Sequence, residues 1–291
     1  MNILSAIING LSAGGTYAMI ALGYTMVYGI AKMLNFAHGD IIMVGGYAMF
    51  VTLSLCGQPL VALAAAIVFC MLLGMTVERL AYKPLRGASP LSVLITAIGV
   101  SYLFQSLAQI IFGVAPKTLI ALQLRGFVEI GSLRIDYSTL LALAATVVVM
   151  VALTLFVKLS KTGRAMLAVS EDRGAAQLMG INTNAIIAVT FAIGSALAAV
   201  AGYLMLMKAP SLSGTLGAMP GIKAFTAAVI GGIGSIPGAM LGGILLGVVE
   251  SISYSIPVLA PFVNAVEFSI LIVILLVKPA GLLGKARREK V

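Results

Sequence analysis

Charge is what this 291-residue sequence has least of: 9% of its residues are Asp, Glu, Lys or Arg and 61% are hydrophobic, against roughly 25% charged in an ordinary soluble domain. A soluble globule of this make-up could not clothe its surface in polar side chains. At about 20 apolar residues per crossing, the chain has material for about eight helical spans and little left for an aqueous domain. The expected fold is therefore an all-α polytopic membrane protein, a single transmembrane domain over residues 1–291. Tryptophan is absent, histidine occurs once and cysteine twice. One histidine and nine acidic residues leave little for acid–base or metal chemistry, so neither an enzyme nor a metal site is expected. Cys56 and Cys70 lie in apolar stretches, as small buried hydrophobes do, and imply no disulfide framework. The first apolar run, 5–28, follows no positive region and exceeds a signal-peptide core, which makes it a retained span.

Apolar runs of spanning length fall at about 5–28, 40–56, 61–80, 91–112, 139–157, 186–207, 237–256 and 262–277. Twelve of the 18 Lys and Arg cluster at 79–86, at 158–173 and in the 278–291 tail, which the positive-inside rule assigns to the cytoplasm. The net charge of +9 is thus mostly an orientation signal, with membrane lipid and not nucleic acid as its partner. Counting crossings puts the N-terminus outside, Lys32 inside, the 113–138 segment outside and the tail inside. Only between Arg173 and the tail does the count fail, because three full spans would leave the tail outside. The missing crossing is expected at 209–233. There Pro210, Ser211, Ser213, Gly214, Gly217, Pro220 and Gly221 favour extended or turning chain, and 222–232 a helix too short for ~30 Å of hydrocarbon. Irregular backbone at such depth survives only against protein or a wetted cavity, and broken helices in transporters mark the substrate path. The competing reading is a re-entrant loop with no ligand role.

Within the expected 159–185 cytoplasmic loop, SKTGRAMLAVSEDRGAAQLMGINTN (160–184) predicts a helix over 171–179. Ser170 is an N-cap, Glu171 and Asp172 are first-turn acids, and Gly180 is a C-terminal stop. Ala175, Leu178 and Met179 share a small apolar face flanked by Glu171, Asp172 and Arg173, fit either for another protein or for this chain's own membrane domain. Glu171, Ala175, Ala176 and Gly180 together resemble the E-x-x-x-A-A-x-x-x-G loop by which ABC importer permeases dock on their ATPases. The stretches GGTYAMIALGYTMVYGIAKMLNFAHGD (14–40), GINTNAIIAVTFAIGSALAAVAG (180–202) and GIKAFTAAVIGGIGSIPGAMLGGILLGVVE (221–250) extend the likeness. With them the chain resembles the LivH-type permeases of branched-chain amino acid ABC importers over nearly its whole length; Asp40 stands where such permeases often carry Glu. The resemblance implies a bacterial inner-membrane location, a second permease of LivM type, two cytoplasmic ATPase subunits and a periplasmic substrate-binding protein. It also implies an ATPase-coupling set of Glu171, Asp172, Arg173, Ala175, Ala176, Leu178, Met179 and Gly180. The chain has no G-x-x-x-x-G-K-[ST] loop, and GGIGSIPG at 231–238 lacks the lysine. No cofactor is therefore expected on it; ATP and Mg belong to the ATPase partners.

Gly194, Ala198 and Gly202, and likewise Gly238, Gly242, Gly243 and Gly247, are spaced for close helix packing. Polar side chains within hydrocarbon are costly and so mark a candidate pathway. Lys223 opens the predicted short helix beside its free amides, and with Gly221 and Ile222 is a candidate for holding a substrate carboxylate in passage; the alternative is a lysine snorkelling to an interface. Asn35, His38 and Asp40 form a polar knot between the first two spans, where a structural or gating role competes with substrate contact. Glu250 and Glu267 are expected to pair with lysine or with each other's helix. The expected function is the permease subunit of an ATP-driven importer of branched-chain or related amino acids. Its rival is a self-sufficient secondary transporter or channel using Asp40, Glu250 or Glu267 as ion or proton sites, which needs no capped cytoplasmic helix.

Overall fold

The computed structural model describes residues 3–130 and 133–284, and among them eight helices are long and apolar enough to cross a membrane. In chain order the helices are α1 (Ile3–Ala31), α2 (His38–Cys56), α3 (Pro59–Val77), α4 (Pro90–Phe112), α5 (Tyr137–Leu159), the short α6 (Lys161–Glu171) and α7 (Arg173–Leu178), α8 (Thr183–Lys208), α9 (Ala218–Gly231), α10 (Ile236–Ser255) and α11 (Val263–Val277). All eight predicted spans are present, within a few residues of their expected ends. Local chemistry sets those ends. Pro59, Pro90 and Pro237 fall in first turns, where a missing N–H leaves nothing unpaired. Ser89, Asn182 and Ser235 each accept a backbone amide as caps. Gly57 takes a left-handed φ of +65° between α2 and α3. Cys70 is buried, as expected; Cys56, the last residue of α2, is exposed because the helix ends there.

The centre of the bundle is α1, enclosed by α5, α8, α9 and α10. Lipid tails are as apolar as leucine, so close packing and polar contacts hold such helices together in place of a hydrophobic drive. A Cβ on Gly243 or Gly247 would strike Ala18 or Gly14 of α1, while Gly238 and Gly242 press against Gly231 and Ala227 of α9. The two G-x-x-x-G spacings of α10 therefore serve two different neighbours. Gly194 and Gly202 of α8 lie in the same manner on Gly23 and Ile42. The peripheral α4 and α11 bury only a narrow stripe.

Between α4 and α5 the 113–138 segment holds β1 (Lys117–Thr118) and a hairpin of β2 (Phe127–Ile130) and β3 (Leu133–Asp136), with Arg134 stacked 3.4 Å over the Phe127 ring. After α8, β4 (Ser211–Leu212) pairs antiparallel with β1. The chain then passes Gly46 of α2, where Leu212 packs, and reaches Gly39, against which Gly217 and Gly221 close backbone to backbone. From there α9 runs to the opposite end of the bundle, where the Ile230 and Gly231 carbonyls accept from the amides of Leu282 and Leu283, beyond α11, at 2.8 and 2.9 Å. The 14 residues of α9 rise about 21 Å and the extended stretch covers the rest, so 209–233 is a discontinuous crossing and the parity is restored. Its helix starts at Ala218, four residues before the predicted 222. Pro220 falls in the first turn, where proline is compatible with helix. Arg79, Lys83, Arg86, Lys158, Lys161, Arg164, Arg173 and Lys278 all lie at or beyond the end where α1, α3, α5, α9 and α11 finish. Lys285, Arg287, Arg288 and Lys290, with the second half of the 278–291 tail, lie outside the described residues.

Candidate substrate path and coupling surface

The meeting of α2 and α9 gathers the polar knot. Asp40, in the first turn of α2 where the helix dipole favours an anion, accepts from Gln105 Nε2 at 3.0 Å and from the Ser101 hydroxyl, both on α4. Asn35 Oδ1 accepts from the Tyr82 hydroxyl at 2.7 Å, and Tyr82 closes a turn of π-helix (Glu78–Tyr82) at the end of α3. His38 lies over Gly23 of α1, its ring edge-on to Tyr24 at 4.8 Å. Asn35 Nδ2, His38 Nε2 and Thr25 Oγ1 are buried with no hydrogen-bond partner. Such groups are uncommon in native interiors; Tyr47, Thr146 and Ser195 carry others elsewhere in the bundle. Ser101, Gln105 and Tyr82 were absent from the sequence-derived set. The signal available for the first two was their i, i+4 spacing on an apolar span.

The second cluster lies between α9, α10 and α11. Lys223 is the sixth residue of α9, beyond the free amides of the first turn, because the helix starts earlier than predicted. Its ammonium pairs with Glu250 of α10 and lies 3.3 and 3.2 Å from the two carboxylate oxygens of Glu267 of α11, while the Tyr17 ring centroid is 5.9 Å away. All three charged side chains are buried. Pairing with lysine is one of the two arrangements expected for these acids. It gives Lys223 two carboxylates already in place, which any substrate carboxylate must join or displace. Gly221 lies two residues back, on the α2-facing side beside Gly39, and Ile222 is partly exposed.

The third feature is the segment between α5 and α8. Ser160 caps α6, accepting the Gly163 amide at 2.8 Å, and the helix continues through Ser170 and Glu171. Ser170 Oγ bonds back to the Leu167 carbonyl at 2.7 Å, and the cap of the next helix is Asp172, extended at φ −149° and accepting the Ala175 amide at 3.0 Å. The predicted single helix over 171–179 is thus the short α7, with its cap two residues later than expected, since aspartate caps as well as serine does. Gly180 ends it at φ +80°; its amide donates to Gln177 O at 2.9 Å and that of Ile181 to Ala176 O at 3.0 Å, the paired bonds of a Schellman stop. Ala176 faces the bundle and is buried. Ala175 is exposed, and so are Leu178 and Met179, at 91% and 82%. Arg173 turns inward to the last carbonyls of α1, while Glu171 and Asp172 stay at the surface.

Comparison with known proteins places the chain as a whole. The model of the family described as branched-chain amino acid transport system, permease component, matches residues 6–277. The high-affinity branched-chain amino acid transport system permease protein BraD of Pseudomonas aeruginosa is 44% identical, the alignment covering 99% of this chain and 98% of BraD. LivH of Escherichia coli K12, described by the same system name, is 43% identical over 99% of this chain and 97% of its own. A probable LivH of Methanocaldococcus jannaschii is 28% identical over 91% and 88%. With a family model spanning nearly all of its helices and relatives matched almost end to end, this multi-pass membrane protein belongs to the branched-chain amino acid transport permease family.

Proposed function

We propose that the chain is the permease subunit of an ATP-driven importer of branched-chain or related amino acids, working by alternating access with separate ATPase subunits. The observation that carries this reading is α7: a turn stopped at both ends by capping bonds, presenting Ala175, Leu178 and Met179 outward at the basic end of the bundle. A large apolar pair left in water on a rigid turn is a partner's seat. By the positive-inside rule this end is cytoplasmic, so the N-terminus is outside and the tail inside.

The partners in this reading are two cytoplasmic ATPases holding ATP and Mg, a second permease of LivM type, a binding protein on the outer side, and lipid; the location is the bacterial inner membrane. Glu171, Asp172, Ala175, Ala176, Leu178, Met179 and Gly180 form or shape the docking face. The substrate passes where the broken crossing meets α2, near Asn35, His38, Asp40, Gly221, Ile222 and Lys223. Support for that route is the discontinuity itself, together with the backbone contact of Gly217 and Gly221 with Gly39, beside Asp40. Reconstituted leucine uptake tests the reading. It is expected to require both ATP and the ATPase subunits. Uptake without them, driven by a proton or sodium gradient, replaces this reading with the secondary transporter.

A further inference from the structure

Arg173 is the first residue of α7, yet its guanidinium leaves the docking face and donates to the carbonyls of Ile30, at 3.1 Å, and Ala31. These carbonyls are the end of α1, which stops because Lys32 takes a left-handed φ of +54°. The last carbonyls of a helix have no partner within it and carry the negative end of its dipole, so the end of α1 is a seat for a cation. Two effects oppose the charge there: burial first, then the neighbouring Arg86, each lowering the pKa of Arg173. An arginine stays protonated against both, as a lysine so placed need not. Among the described residues, a further side-chain bond from α7 to a span, Gln177 Nε2 to Thr183 Oγ1 at 2.9 Å, reaches only the start of α8, its neighbour along the chain. Arg173 instead joins α7 to a helix that ends 142 residues earlier.

We infer that Arg173 is a positioning residue that carries displacement of α7 to α1, and does not itself touch the ATPase. The inference rests on α7 being the ATPase seat. Force applied to Leu178 and Met179 moves a short, stiff turn whose first residue grips the end of the central helix. From there α1 passes the motion to α10 across their glycine contact and to α8 and α9, the helix before the broken crossing and the helical half of that crossing. Without the grip, α7 can follow the ATPase while α1 stays behind.

The test uses the full complex in proteoliposomes with Arg173→Ala, Arg173→Lys and Leu178→Arg. The Arg173→Ala permease is expected to co-purify with its ATPases and to hydrolyse ATP, while leucine moved per ATP falls about tenfold, within the range of coupling between linked sites. Both bonds leave one nitrogen, Nη2, so Arg173→Lys, which keeps the charge on a more strongly hydrated head, is expected to give an intermediate ratio. Leu178→Arg is expected to lose the ATPases. Loss of the ATPases in Arg173→Ala, as in Leu178→Arg, makes Arg173 an outward contact and overturns the inference, as does an unchanged transport ratio. If Arg173→Ala fails to accumulate, Arg173→Lys decides, an unchanged ratio again overturning it. A wild-type complex with no ATP-driven uptake counts against the importer reading itself and is thereby distinguishable.

Discussion

Lys223, Glu250 and Glu267 are buried, and taking each charge out of water costs several kcal/mol that only its partners offset. Removing the ammonium alone leaves two buried acids facing each other, whereas removing all three charges leaves nothing to compensate. Lys223→Met is therefore expected to lose about 3–5 kcal/mol, read as a lower melting temperature in detergent, while Lys223→Met with Glu250→Gln and Glu267→Gln recovers most of it. A single variant as stable as wild type would show the cluster contributes nothing. The triple variant also isolates the pathway role, since normal uptake by it excludes Lys223 as the group that receives the carboxylate. At this scale the sequence revealed which residues are anomalous and not whom they meet. Lys223, Asp40 and the two glutamates stand out because charge in an apolar run is rare. Ser101, Gln105 and Tyr82 do not, because a hydroxyl or amide there is unremarkable until α4 and the end of α3 are set against α2.

Among the helices, packing in α10 is decided by what a side chain would hit. A Cβ at Gly247 lands on the Gly14 backbone, so Gly247→Leu forces α1 and α10 apart; a cost at or above the usual 1–3 kcal/mol of overpacking is expected, visible as loss of monodisperse permease on size exclusion. Gly99, exposed in the middle of α4 with nothing within 4 Å of an added Cβ, is the control: Gly99→Ala is expected to shift stability by less than about 1 kcal/mol. Equal behaviour of the two would refute the glycine contact. The small-residue spacing was legible because period-four glycine in an apolar run has few other uses, but which of the two α10 faces met α1 and which met α9 was not. The boundaries of α7 and α9 also escaped, for one shared reason: Ser170 and Pro220 have helical as well as helix-ending uses, and the neighbouring turns decide between them.

For the molecule as a whole, eight spans and a broken ninth crossing were readable from hydropathy and charge parity alone, since both are consequences of the bilayer and not of particular contacts. The orientation proposed from the same charges can be tested at the two cysteines. Cys56 is exposed at the end where α2 finishes, which the positive-inside rule puts outside, and Cys70 is buried. A membrane-impermeant maleimide added to intact spheroplasts is expected to label wild type and not Cys56→Ser; labelling that needs the cells to be opened reverses the orientation. The contact between α1 and α10 bears finally on how the protein is made. Helix α1 finds its principal neighbour, α10, only when the chain has been synthesised past residue 236. Until then the Gly10, Gly14 and Ala18 face of α1 is covered by lipid or by the insertion machinery. A chain halted before residue 236 would hold six of the eight spans, with the glycine face of α1 lacking the helix that covers it.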